Sequence, residues 1–188
     1  MQFSQYLSVF VTGAALLYYA FKHHNRPNAH HRRMRAKATK ALKLIVTMLP
    51  SRPGAVITYV RQLHPHAVEE LVLSAAEGAG HKIRRNERYV ADGGVDGMIE
   101  ISGVWHLVQT KRYSNAINPA HVAAFNRLCE MRGMPGLFVS FGRTGPMSKQ
   151  AVGPYIRIIS GENLLNLLAG QPMRPSALRP GYGRAMCA

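Results

Sequence analysis

The sequence predicts an α/β domain with a central mixed β-sheet flanked by helices, preceded by one N-terminal transmembrane helix. Three observations lead there. Residues 4–21 carry no charge and are rich in Val, Leu, Ala, Tyr and Phe. Beyond residue 54 the periodicities follow the order helix, three strands, helix, strand, strand, helix, which is the pattern of a mixed sheet with helical connections. Finally, 188 residues of which 47% are hydrophobic can bury one core of ordinary size and hardly two. One domain with appendages is therefore expected.

The uncharged run comes first. At about 1.5 Å per residue it just reaches across a hydrocarbon layer of roughly 30 Å. Tyr6 near one end and Tyr18 and Tyr19 near the other suit the headgroup level. No Lys or Arg precedes the run and no small-x-small site follows it, which argues against a cleaved secretory signal. A buried core helix is the alternative. Eight basic residues follow without an acid (Lys22, Arg26, Arg32, Arg33, Arg35, Lys37, Lys40 and Lys43). By the positive-inside rule that flank stays in the cytoplasm, which places the protein in the inner (plasma) membrane, single-pass, with the N-terminus outside. The pairs His23-His24 and His30-His31 lack acidic or thiol company and read as solvated or lipid-facing, not as a metal site. Over residues 36–49, Leu42, Ile45, Val46 and Leu49 recur at helical spacing between lysines. An amphipathic helix on the inner leaflet and a helix packed on the following domain both satisfy that pattern.

Four regions result: a transmembrane helix at 1–22, a basic juxtamembrane stalk at 23–53, the folded domain at 54–169 and a disordered tail at 170–188. The break at Pro50-Ser51-Arg52-Pro53-Gly54 marks the domain's start. A short helix at 55–63 precedes a longer one, opened by Pro65 and ended by Gly78 and Gly80, whose core face holds Val68, Leu71, Val72 and Ala75 with Glu69 at its edge. Strand-like segments at 81–91, 95–101 and 104–113 come next, the second preceded by Asp92-Gly93-Gly94 and the third by Ser102-Gly103. Asn118-Pro119 opens a helix to about residue 132. Strands at 136–142 and 155–160 and a helix at 162–169 complete the domain. Cys129 and Cys187 have neither zinc nor disulfide spacing, in keeping with a reducing compartment.

The chemistry lies around the hairpin. If Ser102-Gly103 is a two-residue turn, Ile101 opposes Val104 and Asp96 falls opposite Gln109, with Cβ atoms about 5 Å apart. Lys111 lies two residues along, on the same face, roughly 7 Å from Gln109. A carboxylate and an amide oxygen can hold Mg²⁺ (or Mn²⁺), which keeps several waters, one a potential nucleophile. An ammonium beside them can orient that water and neutralise charge growing on a phosphate. The backbone carbonyl of Thr110 points toward the sheet edge and can complete the metal's shell. The bland rivals are a turn role for Asp96, a solvated strand face for Gln109 and Lys111, and an ordinary exposed carboxylate for Glu69.

The ordered stretches LHPHAVEELV, ADGGVDGMIEI, HLVQTKRY, GLFVSFG, MSKQAV and IRIISGENLLNLL resemble the Mrr-type restriction endonuclease catalytic domain of the PD-(D/E)xK nuclease superfamily, from about residue 63 to 168. The resemblance implies a restriction-endonuclease-like core that hydrolyses DNA phosphodiesters with a divalent metal. It matches Asp96 to the metal-binding aspartate, Gln109 to a position that is Glu in most of the superfamily but Gln in this branch, Lys111 to the catalytic lysine and Glu69 to a supporting helix glutamate. Val68 departs from the usual Phe before that glutamate, which bears on helix packing.

The net charge of +15 suits a polyanionic partner, either nucleic acid or an acidic membrane surface. DNA is the expected substrate, with Arg84, Arg85, Arg88 and Arg112 as candidate phosphate contacts; membrane lipid and a second copy in a homodimer are the other expected partners. Trp105 and Tyr113 read as packing residues, not base-stacking platforms. Two functions stay open: a membrane-anchored endonuclease acting on foreign or modified DNA, and a membrane-anchored nucleic-acid-binding protein that keeps the fold without cutting, for example in DNA transfer. A junction resolvase would be a further variant of the first.

Overall fold

The structure is a computed structural model and describes residues 29–86 and 94–173. The uncharged run at 4–21, most of the tail and Arg88 lie outside the described residues. Among the described residues no helix is long and apolar enough to cross a membrane.

Among the described residues three helices precede the sheet: α1 (Ala29–Met48), α2 (Pro53–Gln62) and α3 (Pro65–Gly78). Proline occupies the first turn of α2 and α3, where a missing N–H costs nothing. The sheet then runs β1 (Ile83–Arg85), β2 (Gly97–Ile101) and β3 (Val104–Lys111), continues after α4 (Pro119–Met131) with β4 (Gly136–Ser140), and closes after the short α5 (Pro146–Gln150) with β5 (Ile156–Ile159). Helix α6 (Gly161–Leu168) ends the described domain. The strand order is β1-β2-β3-β4-β5, antiparallel through β3 and parallel from β3 to β5. The mixed α/β sheet with flanking helices agrees with the expectation. Helix α5 is an addition to the expected elements, its first turn held by Ser148, whose hydroxyl hydrogen-bonds both N–H and C=O of Gly145.

Alternation along the strands divides the core into two. Ile99, Ile101, Val108, Leu137, Val139 and Ile159 turn to one face, where α3 and α6 cover them with Leu71, Val72, Leu164, Leu167 and Leu168. Leu107, Phe138 and Ile156 turn to the other, against Val122, Phe125 and Cys129 of α4. Gly136 shows how close that second packing is, since a Cβ there would lie 2.4 Å from the Cys129 sulfur. Ala38, Ala41 and Ile45 of α1 are fully buried in the first cluster. The helix at 36–49 is thus packed on the domain. Its core face is Ala38, Ala41 and Ile45, while Val46, expected on that face, is 49% exposed. The physical core consequently begins before the Pro50–Gly54 break, because the small alanines let α1 approach closely.

Candidate active site

The hairpin register is the one that a two-residue turn dictates. Ile101 opposes Val104, Met98 opposes Leu107 and Gly97 opposes Val108. Ser102 and Gly103 both have positive φ (51° and 83°), the backbone of a tight turn whose twist matches that of the strands. Asp96 sits just before β2, one residue ahead of the first ladder pair, Gly97 with Val108, and meets β3 at Val108 and Thr110, not opposite Gln109 as the turn count alone predicts. Its N–H donates to the Val108 carbonyl at 2.7 Å, and its carboxylate accepts a short hydrogen bond from the Thr110 N–H.

The parity that sends Leu107 to the α4 side sends Gln109 and Lys111 there as well. Gln109 is 8% exposed, and its amide nitrogen donates to the Gly94 carbonyl at 2.8 Å. A carbonyl can only accept, so this bond fixes the amide's orientation and turns its oxygen away from Gly94. Gly94 has φ +83°, and a Cβ there would lie 2.6 Å from the Gln109 nitrogen, so glycine is required on both counts. Lys111 opposes the fully buried Ser140 of β4. In an extended strand a residue's N–H and C=O point the same way. The Thr110 carbonyl thus emerges on the β2 side, beside the Asp96 carboxylate that holds its N–H.

Glu69 comes from α3, on the sheet face opposite to Gln109 and Lys111, and its charge reaches Asp96. It accepts from, or pairs with, His66 Nδ1 at 3.0 Å. Desolvation pushes the Asp96 carboxyl up to about 7; the Glu69 charge adds to the rise, and the Thr110 N–H and the Lys111 charge oppose it. Two carboxylates in mutual repulsion, one of them desolvated, with the Thr110 backbone bound to that one, form an oxygen-bearing set suited to a hard divalent cation. Among the described residues no three His, Cys, Asp or Glu side chains gather into a metal group. Gln109 or Thr110 would have to supply the further donors.

The arginines divide. Arg85 does not face a ligand: its guanidinium bonds Glu70 at 3.0 Å, Glu77 at 2.7 Å and Ser74 at 3.3 Å, locking β1 onto α3. This corrects its assignment as a phosphate contact, because Glu70 is buried and must keep its counter-charge. Arg112 likewise donates to the carbonyls of Arg61 and Leu63, capping the end of α2. Arg84 is exposed with its guanidinium 4.7 Å from the centre of the Trp105 ring, and Arg112 is exposed as well in spite of its two carbonyl bonds. Sequence reasoning passed over His66, Gly94 and Ser140. The three-residue spacing of His66 and Glu69 on one helix was the signal for the first. Nothing local marked Ser140, which reaches the site only through parallel pairing across a helical crossover.

A restriction endonuclease family, the Mrr catalytic domain, matches residues 60–168. The chain belongs to this family, a restriction-type nuclease whose substrate is DNA, and its five-stranded mixed sheet with flanking helices fits that core. No curated protein and no solved structure matches the chain.

Proposed function

We propose that this protein is a metal-dependent DNA endonuclease, tethered to the inner membrane by residues 4–21, that hydrolyses phosphodiester bonds in foreign or modified DNA. The observation that supports the reading is the desolvated Asp96 carboxylate, bound to the Thr110 N–H and within electrostatic reach of both Glu69 and Lys111. Asp96, Glu69, Gln109 and the Thr110 carbonyl would hold Mg²⁺ or Mn²⁺. Such an ion supplies charge neutralisation and an activated water. Lys111 directs its ammonium at the phosphate and stabilises the negative charge that grows on its oxygens in the transition state. The Gly94 carbonyl fixes the Gln109 amide, and Thr110 N–H fixes the Asp96 carboxylate, so neither has to reorganise during turnover.

Full-length protein in detergent, incubated with supercoiled plasmid and Mg²⁺ beside an EDTA control, tests this. Nicking or linearisation that needs Mg²⁺ and disappears in Asp96→Ala and Lys111→Ala is expected. Intact plasmid under conditions where the protein binds DNA would leave the second reading, a membrane-anchored DNA-binding protein that does not cut. The neutral Gln109, where a carboxylate would hold a cation more firmly, is what favours that second reading. For the tether, protease added outside sealed spheroplasts should spare the basic segment around Arg35.

A further inference from the structure

A cleft of about 420 Å³ opens beyond β5, lined by Thr144, Lys149, Val152, Ile158 and Ser160. Its place in the sheet is informative. Lys111 opposes Ser140, and Val139 opposes Ile159, so one residue further along Ser140 stands level with Ser160. Ser160 keeps an extended backbone (φ −151°, ψ 173°), which carries the alternation past the end of the strand. Lys111, Ser140 and Ser160 therefore stand in a row on one face, at the C-terminal ends of three adjacent strands. Two strand spacings put Ser160 about 10 Å from Lys111. The hydroxyls of Thr144 and Ser160 hydrogen-bond each other at 2.5 Å, and exposed Lys149 supplies a cation beside them. Arg143, exposed on the loop between this cleft and β3, is fixed by its backbone: its N–H donates to the Asn115 carbonyl and its carbonyl accepts from Ile117 N–H, each at 3.0 Å.

We propose that this cleft is a phosphate subsite of the substrate strand, taking a backbone unit one or two nucleotides from the phosphate at Asp96 and Lys111; the inference rests on the DNA nuclease reading. The chemistry is that of a phosphodiester backbone. An ammonium meets the phosphate charge, the one hydroxyl of the Thr144–Ser160 pair whose proton is not used within the pair donates to its oxygens, and Val152 and Ile158 offer an apolar wall to the sugar. The volume admits a nucleotide unit, more than a bare ion needs. A strand gripped at two points along one row is held in register with the cutting residues, which a single contact cannot achieve.

The test is binding of full-length protein to a fluorescent duplex in Ca²⁺, over a range of salt. Lys149→Ala should weaken binding about tenfold and lower the slope of log affinity against log salt by about 1, as expected for one lost phosphate contact. Lys149→Arg should keep the slope. The Thr144→Val, Ser160→Ala double variant should weaken binding at unchanged slope. Lys82→Ala, at the opposite edge of the sheet and paired with Glu100 at 3.2 Å, should leave both values alone. A Lys149→Ala protein with wild-type affinity and slope, or one indistinguishable from Lys82→Ala, overturns the subsite. The outcomes separate the two ideas: a chain that binds with this pattern but never cuts in Mg²⁺ sinks the nuclease reading alone, one that cuts with Lys149 silent sinks the subsite alone, and one that binds no DNA sinks both.

Discussion

At the scale of single residues, the cluster is defined by a carboxyl that resists ionisation. Asp96 holds its proton up to about pH 7 in the folded chain, whereas an unfolded aspartate has released it by about pH 4. Between those values the folded state binds more protons than the unfolded one, so stability is fullest below about pH 4 and falls as pH rises to about 7, by roughly 4 kcal/mol in all. Asp96→Asn removes this dependence: in EDTA at pH 8 its Tm should exceed that of the wild type, while Mg²⁺ should raise the wild-type Tm and leave the variant's unmoved. A wild-type Tm that stays flat from pH 4 to 8 would refute the account. In the plasmid assay Asp96→Ala and Lys111→Ala should each cost at least about 10³-fold in rate, with DNA affinity retained. Gly94→Ala is a sharper probe, because it touches the donor set without altering it. A methyl group at positive φ and against the Gln109 amide should destabilise the fold by about 1–3 kcal/mol and lower cleavage, measurable by urea titration and by the same assay.

At the scale of elements, the helix before the apparent boundary proves to be part of the domain. Apolar spacing placed a helix at 36–49 and left its partner undecided; small residues on the buried side decided it, and alanines are easily overlooked in a periodicity dominated by Leu, Ile and Val. Ile45 lies fully inside the core, so Ile45→Ala should cost about 2–4 kcal/mol by urea titration. A chain begun at residue 54 should be expressed insoluble or molten, while one begun at residue 29 should unfold cooperatively; equal melting of the two would show α1 to be dispensable. The Arg85 contacts with Glu70 and Glu77 fasten the three-residue β1 to α3, and Arg35 reaches the same Glu77 at 3.3 Å. Sequence could not separate Arg85 from Arg84, since neighbouring strand residues differ only in the face to which they point.

At the scale of the whole molecule, what was legible was what local rules govern. Turn length fixed the β2–β3 register from Gly97 to Val108, and proline and glycine fixed the helix ends; the one-residue offset that sets Asp96 against Val108 and Thr110 instead of Gln109 was not legible. What escaped depends on contacts distant in sequence: the burial of α1, the committed Arg85 and Arg112, the level at which Ser140 and Ser160 join Lys111. The same division sets the order of events when the chain folds. The β2–β3 hairpin closes a loop of only two residues, whereas β4 reaches β3 only after the whole of α4 has been accommodated, and Arg35 meets Glu77 across 42 positions. Asp96 and Thr110 should accordingly meet in the earliest structured hairpin, with the strand bearing Ser140 added later. In pulse-labelled hydrogen exchange, amides of β2 and β3 should gain protection before those of β4; protection appearing first at Leu137 and Val139 would reverse that order. Under the proposed function, the aspartate and lysine of the centre ride on the quickest element to form and stand together before the strand that bears Ser140 is added.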